Sequence, residues 1–210
     1  MARHIGWDIG IWAVSELLAD ALDAPLIGQM VSRLVIDCNR MPGVPSSIPV
    51  VSEATEIPGN IGLTAAARAA RVAEVFDPYQ QAIAAELAAR AARPTAFIAM
   101  HSFTPVYLGV ARPWHVGVLF NRDDRLAQPM LALLRAEAGL VVGENEPYAV
   151  SDLTDYTVPV HCERRGLPHL ELEIRQDLIA GSAGQRAWAA LLARLLPEAY
   201  RRMLAAETSP

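Results

Sequence analysis

Lysine is absent from this chain of 210 residues, and all 18 of its basic residues are arginines. That absence excludes Schiff-base catalysis and a P-loop lysine outright, because neither works without an ε-amino group. Cysteine is nearly as scarce. Cys38 and Cys162 are the only two, too few for a disulfide framework, and a reducing cytoplasm is the natural assignment. No block of basic residues stands out and the net charge is −5, so a nucleic-acid surface is not expected. No apolar run reaches the length of a membrane span, and the first residues lack the pattern of a signal peptide. There is no internal repeat.

Hydrophobic residues make up 52% of the chain, which excludes a disordered polymer and suits one domain over residues 1–210. Helical spacing predicts helices over 11–22, 64–90, 123–138 and 182–206. Pro78 is expected to break or kink the second near Asp77, and Gly139 to stop the third. Strands are predicted over 31–38, 95–101, 115–120, 140–142, 156–161 and 169–174. Residues 41–63, with four prolines, and 143–155 read as loops. This alternation predicts an α/β fold with a mixed central β-sheet flanked by helices on both faces.

Several strand ends carry chemistry. The run from Thr95 ends in His101, Ser102 and Thr104, and in open α/β sheets ligands sit beyond the carboxyl ends of strands. By itself His101 fits a hydrogen-bonded strand-end histidine as well as a metal ligand. The strand over 31–38 delivers Asn39 and Arg40. In Leu170-Glu171-Leu172-Glu173-Ile174-Arg175 the leucines and isoleucine share one face, and Glu171, Glu173 and Arg175 the other. Such a charged face needs partners, a cavity or solvent, so it marks either a site or a wet edge strand.

The three elements make a coherent set. A metal held by His and carboxylate ligands activates a water. A separate Glu takes the water's proton and passes it to a leaving amine. An Asn-Arg pair grips a carboxylate in a bidentate fork. The sum is hydrolysis of an amide next to a carboxylate.

Other side chains have two readings each. Asp8 is a metal ligand or the cap of the helix after it. His161 orients substrate or is a satisfied core histidine. Arg112 and Arg175, with Arg33, add positive charge to a pocket or pair with Asp37, Asp123 or Asp177. Tyr148, in the Asn-Glu-Pro-Tyr loop, closes over substrate or belongs to a tight proline turn.

At these residues the sequence resembles the N-formylglutamate amidohydrolase family. The matching pieces are RHIGWDIG (3–10), VSRLVIDCNRMPG (31–43), IPGN (57–60), FDPY (76–79), MHSFTP (100–105), RPWHVGVLFNRDDRL (112–126), ENEPY (144–148) and GLPHLELEIRQDL (166–178). They run in order through nearly the whole chain. The resemblance implies a fold like that of zinc carboxypeptidases and a zinc-dependent hydrolase of N-formyl or N-acyl amino acids such as N-formylglutamate. Its place would be in histidine breakdown, with a small-molecule N-acyl amino acid as partner and the oligomeric state open. It assigns His101 to zinc, Asn39 and Arg40 to the substrate carboxylate, and Glu173 to general-base work. Relatives usually begin with a further strand ending in a ligating His, which this chain is expected to lack, and often carry His where Gln80 stands. Asp8 and, as a substitute, His4 are the remaining metal candidates. The alternative is a catalytically impaired relative that binds small carboxylates without metal.

Overall fold

A computed structural model of the chain describes residues 3–208. The first helix, α1, is Ile11–Leu22, where the periodicity places it, with Ile11, Val14 and Leu18 turned inward. Asp8 does not cap it. Gly10 holds the cap position, without a side-chain bond, and Asp8 is engaged elsewhere. The proline-rich stretch that follows contains a small hairpin, β1 (Val51–Ser52) with β2 (Thr55–Glu56).

The long helical pattern comes out as α2 (Ala65–Arg71), a π-helical turn (Val72–Phe76) and α3 (Asp77–Ala89). Thr64 Oγ1 starts it by accepting from Ala67 N at 3.1 Å. Pro78 lies in the first turn of α3. The wide turn before it absorbs the mismatch that the proline imposes, so the helix shifts register there and does not stop.

The central sheet is built from β3 (Phe97–Phe103), β6 (Val116–Leu119), β7 (Val142–Glu144) and β8 (His169–Arg175). A short hairpin, β4 (Val106–Tyr107) with β5 (Val110–Ala111), lies between β3 and β6. The order is β3-β8-β6-β7. The β3–β8 and β6–β7 pairs are parallel and β6–β8 is antiparallel, so the sheet is mixed as expected.

Alternation along β8 sorts the two faces. Leu170, Leu172 and Ile174 join Val116 and Val118 in the main core, beneath α1, α4 (Ala127–Arg135) and α5 (Ser182–Glu207). Each such buried side chain contributes about 1.5–3 kcal/mol through apolar burial. On the other face Val158 packs with Ala99 and Leu119. The neighbouring Tyr156 ring meets Phe76 edge-on at 4.9 Å between centroids, which joins α2–α3 to this side.

Two predicted strands are not strands. Residues 31–38 form turns because their backbone groups are taken by side chains and loops. Asn60 Nδ2 donates to Leu34 O at 2.8 Å and Arg71 Nη1 to Val35 O at 2.7 Å, while Asp37 N donates to Ser47 O at 2.8 Å. Residues 156–161 enter a helical turn, Val158–Cys162. Asn39 Oδ1 caps it, accepting from Tyr156 N at 3.1 Å and Thr157 N at 2.9 Å. A cap supplied from so far along the chain leaves no local pattern to read. Among the described residues no helix is long and apolar enough to cross a membrane.

Candidate active site

The face of the sheet opposite the main core is polar where β3 meets β8. Parallel pairing sets His101 beside Glu173 and Ala99 beside Glu171, on strands about 4.8 Å apart. His101 Nδ1 lies 2.7 Å from Asp8 Oδ2. Ser102, pointing the other way, donates to Ile9 O at 2.9 Å and so ties the segment carrying Asp8 to β3. Arg33 backs the pair: its Nη1 is 3.4 Å from Asp8 Oδ1 and its Nη2 2.7 Å from Asp37 Oδ2.

The charges are strongly coupled. Burial works against charge on His101, but Glu171, the Asp8 hydrogen bond and Glu173 outweigh it and push the imidazole up to about 10. Burial would raise Asp8, yet the bond to His101 and the charges of His101 and Arg33 hold it below the usual range. Burial pushes Glu173 up to about 8, with Asp8 and Glu171 adding and His101 and Arg33 opposing. Burial likewise raises Glu171. Both glutamates have an Oε2 that is buried without a hydrogen-bond partner. A cavity of about 1230 Å3 runs along β3 from His101 back to Phe97 on the Asp8 side of the pair; Asp8, Arg33 and Asn39 line it, and the two glutamates do not.

Arg40 reaches the same region and acts on the charge of Glu171. His101 and Glu173 are neighbours across the sheet, whereas Arg40 is tied to the Asn39–Asp155 segment and makes no direct contact with either. Arg40 Nη1 donates to Asn39 O at 3.2 Å, to Asp155 Oδ1 at 3.3 Å and to Thr154 O. Asn39 is spent inside the protein, since its Nδ2 donates to Asp155 Oδ1 at 3.0 Å and its Oδ1 makes the cap described above. It positions Arg40 and cannot be half of a free fork as it stands. Asp155 holds the arrangement together from a loop in which sequence pattern gives no signal.

Arg112 and Tyr148 form the rim. Arg112 Nη1 donates to Tyr148 Oη at 2.7 Å, and the guanidinium lies 4.7 Å from the ring centroids of both Tyr107 and Tyr148. Tyr148 senses the charge of Glu173. Arg175 is committed to structure: it donates to Asp177 at 2.8 Å and to the carbonyls of Pro113 and Trp114. His4 does not join His101, because its Nε2 lies 3.0 Å from Glu53 Oε1. Among the described residues no three His, Cys, Asp or Glu side chains come together as a metal site.

His161 is not at the pocket surface. It is 3% exposed, and its Nε2 lies 2.7 Å from Gln80 Oε1, whose Nε2 donates to Cys38 O at 2.7 Å. This relay clamps the backbone just before Asn39, so Gln80 and His161 act on the site through position. Burial pushes His161 down to about 4, with Arg165 adding. In the unfolded chain a histidine titrates near 6.5, so below that pH the unfolded state takes a proton the native state refuses. Stability from this group is complete above about pH 6.5 and is lost as pH falls toward 4, amounting to about 3 kcal/mol at most. Urea midpoints of the parent and His161→Gln are expected to converge as pH drops from 7 to 4.5. Parallel pH profiles would contradict this.

Comparison with known proteins adds to the geometry. No curated protein matches the chain. A crystal structure of a gene product from Agrobacterium tumefaciens is 40% identical, with a TM-score of 0.90, over 96% of this chain and 81% of that one. The N-formylglutamate amidohydrolase of Ralstonia eutropha is 18% identical, with a TM-score of 0.60, over 91% of this chain and 82% of that one, a likeness of fold. The sequence profile of the N-formylglutamate amidohydrolases matches residues 1–180. With that match over most of its length, the chain belongs to the N-formylglutamate amidohydrolase family of hydrolases.

Proposed function

We propose that this protein hydrolyses N-acyl amino acids, N-formylglutamate among them, and that Glu173 is its proton shuttle. The observation that carries the reading is the register of β3 and β8, which sets a buried, unpaired carboxyl beside an imidazole already joined to a second carboxylate. Arg40 engages the substrate's carboxylate, and Arg112 with Tyr148 closes the rim over it. Glu173 takes a proton from the attacking water and delivers it to the amine that leaves. Burial serves this role, because a carboxyl whose two forms lie close in energy near neutral pH can accept and return a proton.

Zinc fits His101 and Asp8 by donor type, and the unpaired Glu171 and Glu173 oxygens supply negative charge nearby. A catalytic zinc takes about three protein ligands, and the described residues bring two together. Zinc bound there would supply a Lewis acid and a water of lowered pKa. The two-donor set also favours a second reading, a relative that binds small carboxylates through Arg40 without metal.

One experiment separates them. Metal analysis of the purified protein and formate release from N-formylglutamate are measured with and without chelator, beside calorimetry of N-acyl amino acid binding. Bound zinc with turnover abolished by chelator is expected. Binding indifferent to chelator, with no metal and no turnover on any N-acyl amino acid, would establish the second reading instead.

A further inference from the structure

Strand β3 is an edge of the central sheet. Phe97 N donates to Pro168 O at 2.9 Å, which sets the phase of the β3–β8 ladder. Phe97, Ala99 and His101 therefore turn their backbone groups toward β8, and Ile98 and Met100 turn theirs the other way. Among the described residues nothing bonds to the N–H or C=O of Ile98 or Met100 on that side. The cavity of about 1230 Å3 runs along this same free edge, from Phe97 to His101, about 13 Å of strand. Its walls come from both faces of the sheet: Trp12 and Leu22 of α1 line one, and Ile83 and Leu87 of α3 the other. The free edge ends at Asp8 and Ile9, where Ser102 Oγ donates to Ile9 O at 2.9 Å and Asp8 meets His101 at 2.7 Å.

The slot therefore offers apolar walls, a row of unpaired main-chain groups and, at one end, the reacting pair. A bare alkyl chain would meet the walls and leave the edge unpaired. A formyl group would fill only the mouth. An extended peptide meets every demand, since its main chain pairs with a free strand edge and its side chains alternate toward the two walls. Direction follows from the chemistry. Asp8 and His101 line the cavity, whereas Glu173, which returns the proton to the amine, lies outside it. The acyl side of the scissile amide is then in the slot and the amine beyond it. A peptide so placed runs parallel to β3, with its last residue past His101.

We infer that the acyl group this protein removes best is an extended peptide, added to the free edge of β3 as a parallel strand. The protein then acts as a carboxypeptidase on short peptides with apolar residues ahead of the last one. This rests on the amidohydrolase reading and names its substrate class. Hydrolysis breaks the last peptide bond: the oxygen of water joins the carbonyl carbon, and a proton of that water passes through Glu173 to the departing amine. The products are a peptide shorter by one residue and a free amino acid.

The test compares acetyl-Leu-Val-Leu-Glu with N-formylglutamate as substrates of the purified protein, reading the release of glutamate from the first and of formate from the second. The kcat/KM for the peptide is expected to be at least tenfold higher. A single N-methyl group is then moved along the peptide, from amide to amide ahead of the scissile one. Every second position is expected to lose at least tenfold in kcat/KM and those between to be tolerated, because alternate N–H groups face β3. Hydrolysis of N-formylglutamate with a smaller advantage for the peptide overturns the inference alone. So does a methyl series without alternation, or a peptide that binds by calorimetry and stays intact while N-formylglutamate is cleaved. Cleavage of neither compound overturns the amidohydrolase reading and this inference with it.

Discussion

Glu173→Gln is expected to lower kcat for amide hydrolysis by about 10²–10⁴-fold, the contribution typical of a positioned acid–base group. Glutamine keeps the shape and one acceptor oxygen but cannot take up a proton. Arg40 and the Arg112–Tyr148 rim are untouched, so KM should move by less than about threefold, and kcat/KM should fall in step with kcat. The fold should survive, because burial already disfavours the ionised carboxyl at this position. The variant is therefore expected to melt at or above the parent's temperature at neutral pH. A variant that keeps more than about a tenth of the parent's kcat would remove Glu173 from the chemistry. Loss of activity accompanied by a large fall in melting temperature would mean that its role is structural.

What made Glu173 visible in sequence is also what makes it effective. Alternation in 169–175 put two glutamates on one face of a strand whose other face is leucine and isoleucine, and local pattern suffices for that inference. The same holds for α1 and for α5, where apolar spacing alone marks the boundaries to within a residue. His101 was legible because an apolar run ended on it. None of this needs knowledge of contacts distant along the chain.

The rest of the site is held by contacts of that distant kind. Asn39 looks like a ligand-binding amide next to an arginine, but its oxygen caps a turn beginning 117 residues later. The two bonds it accepts, from Tyr156 N and Thr157 N, favour a helical turn over the strand that the alternating pattern of 156–161 suggests. Residues 31–38 have the composition of a strand, yet Asn60 and Arg71 supply the hydrogen bonds a neighbouring strand would have made. Gln80 and His161 meet across 81 residues. Arg175 follows Glu173 closely enough to look like a substrate contact, and Asp177 claims it first. In each case a side chain satisfies a buried backbone or charged group that sequence periodicity treats as free. His4 is the same error in another form, a plausible ligand whose ring Glu53 occupies.

Gly117 was passed over, though a glycine inside a strand often marks a close approach of another backbone. It lies on β6 directly across from Glu173. A Cβ at this position would drive into the carbonyl oxygen of Glu146 and come within 3.1 Å of that carbonyl carbon. The obstacle is main chain and cannot rotate away. At Gly143 on β7 a Cβ would likewise meet Glu146, 2.7 Å from its Cβ. The segment 144–148 therefore lies flat on two strands, stitched there by Asn145 N to Val118 O at 3.0 Å and Phe120 N to Asn145 Oδ1 at 2.9 Å. This contact sets the height of Tyr148 above Glu173 and its reach to Arg112.

Gly117→Ala is accordingly expected to lift the segment by about 1 Å and to lower kcat/KM by about 10²-fold, the scale of loss that such a misplacement produces. The overpacking should cost about 1–3 kcal/mol, and the melting temperature should fall by about 2–10 °C. Alanine restricts the unfolded chain more than glycine does and returns about 0.4–1 kcal/mol of that, so activity should suffer more than stability. Arg112→Ala supplies the comparison: it removes the rim contact without moving the segment, and should affect KM chiefly. If Gly117→Ala retained full activity and an unchanged melting curve, the segment could not be resting on β6, and Tyr148 would have no fixed place over the site.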